Sequence, residues 1–483
     1  MSKHGVFVQE EATALTAPIT GSCSIPVVVG TAPVNMVQNP EEVINTPILA
    51  NSAAEAMAAL GYVDDFENYT LCQMMYATNN IYQVSPAVYI NVLDPTKHKK
   101  ALTETTATVS QMQAKISTKG IIPKGLVVKA ASATLTAGTD YTTEFDTDGS
   151  LIVNLIEGGK GASATSITVS GNVLDPSMIT KTDIIGAYNA STGKESGLEV
   201  VRQVYPKLGV VPGLIVAPGW SQIPEVGIAM SAKAANINGV FKAVALVDLD
   251  TTKATKYTDC KKIKEDSGFT SAFCYPTWPC VKVGDYVFAM SAVVAALIAY
   301  TDASNDDVPS LSPSNEMLGV TGTCLADGTE VTLDQDQGST VNTYGVATAI
   351  NMNGWKLWGN YTGAHCASSG DAKDIWLAVR RMFNWHGNNF IQTYFEKVDD
   401  PMNHVLIESI IDSENIRCAA YAPDKWAGAE MQYLASDNPI TDTLAGKITF
   451  RQRIAPYTPA QEIDNILSYD TDMLKNALSG GGE

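Results

Sequence analysis

Hydrophobic and polar positions along this chain change rhythm four times, and each change marks a different kind of structure. Residues 5–13, "GVFVQEEAT", alternate as a short strand, with Val6 and Val8 on one face and Phe7 on the other. Pro18 and Gly21 then interrupt the chain. The first core-like strand comes only at residues 25–30, "IPVVVG". The opening strand thus stands apart from any partner in sequence, and its N–H and C=O groups need another edge. From 25 to 95 the pattern predicts strand, helix, helix, strand. "NSAAEAMAALG" carries a capping box from Ser52 to Glu55 and a stop at Gly61. "FENYTLCQMMYATNN" is a second helix and "PAVYINVLD" a strand. Fully apolar strands joined by helical crossovers imply a parallel sheet covered on both faces.

Between about 97 and 180 the chain becomes rich in Thr, Ser, Val and Gly. "YTTEFDTDGSLIVNLI" predicts a hairpin turning at Asp148–Gly149, and "GGKGASATSITVSG" a further loop and strand. This region is expected to be an all-β insertion. The α/β rhythm then resumes: "GLEVVRQVYPKL" as helix, "PGLIVAPGW" as strand, "PEVGIAMSAKAANING" as helix, "FKAVALVDLD" as strand, and a strand and helix over 285–301. "YGVATAINMNGWKLWGN" predicts strand, turn, strand. Beyond about 371, "DAKDIWLAVRRMFNWHGNNFIQTYFEKV" has an apolar stripe through Trp376, Val379, Phe383 and Phe390. "PMNHVLIESIIDSENIRCAA" reads as a helix starting at Pro401. "GKITFRQRIAP", residues 446–456, is the clearest alternating strand, with Ile448, Phe450 and Ile454 against Arg451 and Arg453. "QEIDNILSYDTDML" predicts a terminal strand with Ile463, Leu467 and Tyr469 on one face.

Composition narrows the class. The chain has 483 residues, too many for one core, and 45% hydrophobic against 17% charged residues is a globular balance. Net charge is −19, which repels phosphate backbones and makes nucleic acid an unexpected partner. Every arginine except Arg202 falls in the last quarter: Arg380, Arg381, Arg417, Arg451 and Arg453. They are candidates for a protein–protein interface, where Arg is enriched, as well as ordinary surface charge. The N-terminus has no apolar leader pattern, and the longest apolar run, 285–300, is too short to span a bilayer, so no membrane insertion is expected. The eight cysteines are scattered and read as free thiols; Cys274 and Cys280 fit no zinc spacing.

Candidate catalytic chemistry is sparse. Asp248, Asp250 and Thr252 in "VDLDT" match the D-x-D-x-T pattern of aspartyl-phosphate phosphatases, in which a carboxylate at a strand end attacks phosphorus. Asp306 and Asp307 offer magnesium ligands to such a site, but they follow a helix rather than a strand. The alternative reading of "VDLDT" is the polar exit of a core strand. "STGKES" lacks the glycine spacing of a phosphate loop and has Glu195 at the Ser/Thr position. The histidines at 4, 98, 365, 386 and 404 form no metal motif. No cofactor and no metal are expected.

With catalysis weak, several ordered stretches gain weight: "GVFVQEEAT", "IPVVVGTAP", "STGKESGLEVVRQVYPKLGVVPGLIVAPGWS", "AKAANINGVFKAVALVDLDT", "SPSNEMLGVTG", "NGWKLWGN", "RRMFNW", "TYFEKVDDPMN" and "GKITFRQRIAPYTPAQEI". In content and order these resemble the contractile tail sheath proteins of myophages and of tail-like bacteriocins, from near residue 5 to about residue 472. The resemblance implies a non-enzymatic subunit of a helical homo-oligomer stacked around an inner tail tube, with tube, baseplate and tail terminator proteins as partners. It implies assembly in a bacterial host cytoplasm into a virion or tail-like particle, and contraction that drives the tube through a target envelope. A tube or baseplate component is the other structural reading. The implied fold is a multidomain α/β and α+β chain: an arm at 1–24, an α/β core at 25–96 and 181–370, an inserted β-rich surface domain at 97–180, an α+β domain at 371–456, and a linker strand and tail at 457–483. The resemblance makes Val6, Phe7 and Val8 and Ile463, Leu467 and Tyr469 strands donated to neighbouring subunits. Ile448, Phe450 and Ile454, within 447–456, would belong to the receiving sheet.

Overall fold

The computed structural model of the chain describes residues 19–20, 22–366 and 370–479, so the expected strand at Val6, Phe7 and Val8 lies outside the described residues. The first core strand, β1 (Pro26–Gly30), is buried along its whole length. After it come β2 (Pro47–Ala50), α1 (Ala53–Leu60), α2 (Leu71–Tyr76, continued by one wider turn over Ala77–Ile81) and β3 (Ala87–Asn91). Ser52 accepts from the Glu55 amide at 3.2 Å, while the Glu55 carboxylate takes the Asn51 amide at 2.8 Å, so the expected capping box closes one residue early. β2 was not expected: four residues, buried at the two ends and half-buried between, carry too little pattern to declare a strand.

The insertion holds β4 (Lys99–Thr108), β5 (Gln113–Ile116), β6 (Val127–Ala130), β7 (Ala133–Thr134), β8 (Tyr141–Phe145), β9 (Leu151–Leu155) and β10 (Ser166–Leu174). They form a three-stranded sheet, β8-β9-β5, and a four-stranded one, β4-β10-β6-β7. The expected hairpin pairs Tyr141 with Leu155 through Phe145 with Leu151, and Gly149 takes the positive φ its turn requires, +79°. A buried cluster of its own, including Leu102, Ile116, Val128, Leu151, Ile167 and Val169, fills the space between the sheets. Entry and exit strands pair directly, Lys99 opposite Leu174.

The second half of the core supplies β11 (Leu214–Val216), α3 (Pro224–Ala235), β12 (Val244–Asp248), α4 (Cys260–Ser267), β13 (Cys274–Thr277), α5 (Met290–Ala303), α6 (Gln335–Thr343), β14 (Thr348–Asn351) and β15 (Trp355–Trp358). The main sheet runs β13-β12-β11-β1-β3-β2, parallel except for β2 at its edge. α2 and α5 pack on one another and on β1, while α3 packs with residues 197–208 on the same sheet. This double cover is why the core strands are apolar without alternation. The stretch "GLEVVRQVYPKL" is not one α-helix. It is a 3-10 segment, Gly197–Gln203, running into a short α-helix, Val204–Leu208, because β-branched residues and Pro206 disfavour a longer one.

The last region contains α7 (Leu377–Tyr394), α8 (His404–Ala419), β16 (Trp426–Tyr433), α9 (Ile440–Leu444), β17 (Phe450–Pro456) and α10 (Thr471–Leu478). α8 starts at His404 rather than at Pro401, because Asn403 caps it by accepting from the Leu406 amide at 2.9 Å. Its buried cluster is small: Val308, Met382, Trp385, Cys418 and Trp426. Among the described residues no helix is long and apolar enough to cross a membrane.

Candidate assembly surface

The phosphatase-like residues are assembled differently from a catalytic site. Asp248 ends β12 in a buried cradle, where Ser221 donates to Oδ2 at 2.6 Å, Thr277 to Oδ1 at 3.0 Å, and Ser291 through its amide at 2.9 Å and its hydroxyl at 2.6 Å. Ser291 lies in the first turn of α5, so the carboxylate occupies the positive end of that helix. In doubly wound sheets this is where a bound phosphate belongs. Here the chain's own carboxylate fills the position, and the adjoining cleft of about 630 Å³ is rimmed by Asp64, Asp65, Glu67, Asp250 and Asp285. Asp250 is held by Thr252 and Lys253; burial opposes its ionisation, yet these bonds keep its carboxyl below the ordinary range. Asp306 and Asp307 do not join the cleft. They bind Lys425 and the backbone at Ser22 and Cys23. "VDLDT" is therefore the hydrogen-bonded exit of a core strand, and its nucleophile candidate has no free oxygen directed to a substrate.

Two of the five expected interface arginines are interior. Arg381 is buried and paired with the equally buried Asp302 of α5, and it also donates to Ser24 at 2.7 Å. Arg380 donates to Asp374 at 2.9 Å and Asn384 at 3.1 Å, with its guanidinium over the Phe273 and Phe383 rings. As surface-interface residues both are corrected: the buried face of α7 includes them, whereas the expected stripe residues Trp376, Phe383 and Phe390 are only half-buried. Arg417 is half-buried against Glu414, at 2.7 Å. Arg451 is exposed and forks onto Asp437 at 2.9 and 3.0 Å, and Arg453 is exposed beside it.

Sequence spacing gave no sign of a polar cluster that the fold builds behind β17. His386, Glu414 and Cys418, all buried, come together with Gln452. His386 Nε2 and Gln452 Oε1 are 2.7 Å apart, and Gln452 Nε2 donates to Glu414 at 3.1 Å. These types can ligate zinc, but their bonding describes another role. Glu414 is forked by Arg417, burial and Glu414 push the Cys418 thiol up to about 12, and burial holds the His386 imidazole below its ordinary range. His386 Nδ1 has no partner among the described residues, whereas a ligating imidazole orients itself through that nitrogen. The cluster instead pins Gln452, at the centre of β17, to α7 and α8.

The sheet it supports is unfinished. β16 and β17 pair antiparallel, from Tyr433 opposite Phe450 to Trp426 opposite Pro456, and among the described residues neither outer edge has a strand beside it. β17 begins at Phe450, so Ile448 lies before the strand rather than in it. The Asn438 side chain captures both backbone groups of Thr449, at 2.7 and 2.8 Å, and ends the ladder there. Phe450 and Ile454 are half-buried on the inner face, alternating with Arg451 and Arg453 outside. The expected terminal strand is absent from this single chain: residues 457–470 have no regular structure, and Asp470 caps α10 instead. Ile463, Ile466, Leu467 and Tyr469 are 77–92% exposed. Further apolar side chains stand in solvent at Phe395, Val405, Ile416, Ile440 and Leu444. Large apolar side chains this exposed are candidates for interaction surface.

Known proteins resemble this chain along nearly its whole length, although no family model matches it. It is 25% identical over 501 residues to a tail sheath protein of Burkholderia phage BcepMu, covering 98% of this chain and 97% of the relative. It is 30% identical over 210 residues to a putative prophage major tail sheath protein of Pseudomonas aeruginosa strain UCBPP-PA14, covering 41% and 48% of the two chains. In fold it matches a chain of the anti-feeding prophage baseplate at TM-score 0.58 and 13% identity, covering 98% of this chain and all of the other. It matches a chain of the PVC sheath complex, an extracellular contractile injection system in its contracted state, at TM-score 0.58 and 14% identity, covering 98% and 99%. The resemblance to contractile tail sheath proteins read from the sequence is borne out by these relatives.

Proposed function

We propose, from a chain whose sequence relatives are tail sheath proteins, that it is the structural subunit of a contractile sheath polymerised helically around an inner tube. The observation that carries this is the two-stranded β16–β17 sheet, with no strand at either edge among the described residues, in a chain that also carries an exposed apolar C-terminal segment. An open edge and an unpaired extended segment satisfy each other when copies exchange them. The segment around Ile463, Leu467 and Tyr469 would add to one neighbour's sheet, and Val6, Phe7 and Val8 to another's. Phe450 and Ile454 would lie in the receiving strand. Backbone hydrogen bonds would give attachment, and alternating side chains register. Arg451 and Arg453, on the outward face of β17, would contact the tube or a neighbouring copy. Linked copies can rotate and spread without separating, so a better-packed contracted lattice would drive the tube forward. A standard interface buries about 1,600 Å², so a modest gain per copy becomes large over a long lattice. Tube, baseplate and terminator proteins are the partners, and the particle is a virion or tail-like device assembled in a bacterial cytoplasm.

The test is negative-stain microscopy of the purified full chain, alone and with its inner tube protein. Hollow, helically striated tubes are expected. Their absence in both samples overturns the reading. Removing either the first dozen residues or residues 457–483 is expected to abolish the tubes.

A further inference from the structure

The carboxyl end of α5 gathers side chains that no catalytic or assembly role has yet used. The helix stops at Ala303, and Asp306 and Asp307 follow at φ +57° and +60°, two consecutive non-glycine residues in the left-handed region. Such residues persist only where their surroundings hold them, and Asp is among the few side chains that tolerate the conformation. Here the two carboxylates serve different parts of the chain. Asp307 takes the Ser22 amide at 2.9 Å, the Cys23 amide at 2.9 Å and the Ser22 hydroxyl. Asp306 takes the Lys425 ammonium at 3.0 Å, and Asn305 takes it at 2.7 Å. Lys425 directly precedes β16. One turn back, buried Asp302 binds both Ser24 and Arg381 of α7.

Ser22 to Ser24 lead straight into β1, at the centre of the main sheet. A pull on the chain before residue 22 meets first the two-residue parallel pairing of Ile19–Thr20 with Val84–Ser85, and once that short ladder parts it would otherwise fall on the first hydrogen bonds of β1. We propose that the turn at Asp306 and Asp307 is a double hook that diverts such a pull from β1 to α5, and through Lys425 and Arg381 to the region bearing the β16–β17 sheet. The arm root and the receiving sheet of one subunit then move as one body. The load on the arm rests on the sheath reading above; the hook itself does not. Charge-assisted bonds to two backbone amides hold it, and the left-handed turn aims the two carboxylates at different segments.

The experiment replaces Asp307 with Gly in the full chain. Glycine adopts the positive φ freely, so Asp307→Gly deletes the hook without disturbing the turn. Hydrogen exchange at the Ser22 and Cys23 amides is expected to accelerate about tenfold, with β1 amides unchanged. Sheared tubes of the variant are expected to break into shorter pieces than wild-type tubes. Exchange within about twofold of wild type overturns the hook. Faster exchange with tubes as shear-resistant as wild type overturns its mechanical role. Absence of wild-type tubes counts against the sheath reading alone, while exchange still decides the hook.

Discussion

The main sheet and the β16–β17 sheet solve the same problem in opposite ways. β1, β11 and β12 each have a strand on both sides and helices above and below, and every residue of these strands is buried. The β16–β17 pair has helices on one face, a five-residue buried cluster beneath it and no strand at either edge among the described residues. A two-stranded sheet is marginal by itself. The first sheet is finished within one chain. The second is stabilised by polar devices: the Glu414–Arg417–Gln452 network, the Asn438 clasp on Thr449, and the Asp302–Arg381 pair to α5. Large exposed apolar side chains concentrate around this second sheet and in the tail beyond it. The central strands of the first sheet are both buried and flanked, whereas the strands of the second are neither fully buried nor flanked on their outer sides among the described residues.

Cutting the tie between the two regions puts this contrast under the greatest stress. Arg381→Met leaves the Asp302 carboxylate buried and unpaired, at an expected cost of about 3–5 kcal/mol. Urea unfolding should show the region around α7 and α8 melting ahead of the main sheet, and a single unshifted transition would refute that division. Next in size is Asp248→Asn. It turns an amide against donors that now find a carboxylate, and about 1–3 kcal/mol is expected to be lost from the main sheet. Thermal unfolding measures it; loss of a phosphatase activity without loss of stability would instead restore the enzyme reading.

Acid probes the two sheets from the other side. Burial holds the His386 imidazole below its ordinary pKa of 6.5, so the unfolded chain takes the proton first. The stability this histidine gives is complete above pH 6.5 and is lost as pH falls from there through its lowered folded value. Exchange of β16 and β17 amides should quicken over that window before β1 responds, and His386→Gln should remove the effect. If β1 and β17 quicken together, the two sheets are one cooperative unit. The smallest effect on stability is expected from ending the chain after Pro456, within about 0.5 kcal/mol, because the removed apolar side chains stand in solvent. A large destabilisation would mean that the tail packs on its own subunit. Excising residues 97–180 should cost more, because Ile122, Leu174 and Ile179 belong to the main core: the main sheet is expected to unfold at a lower temperature but still cooperatively, and scanning calorimetry checks it.

The local grammar of the chain was legible before any geometry. Runs such as "PVVVG" and "VALVD" have one solution, a strand covered on both faces, and the Asp148–Gly149 turn has one hairpin. The alternation of Phe450, Arg451, Gln452, Arg453 and Ile454 fixed an inner and an outer face. The ordered stretches also pointed to sheath proteins. The role of each polar residue, in contrast, emerged only in the folded chain. Arg381 and Arg451 look alike in sequence, yet one is buried against Asp302 and the other forks onto Asp437 in solvent. Asp248 and Asp307 look alike too, and one fills a helix end while the other holds the arm root. The physical reason is range. Apolar periodicity is a property of neighbours along the chain, whereas a buried charge is defined by a partner 79 residues away, as Asp302 is for Arg381, or 284, as Asp307 is for Cys23.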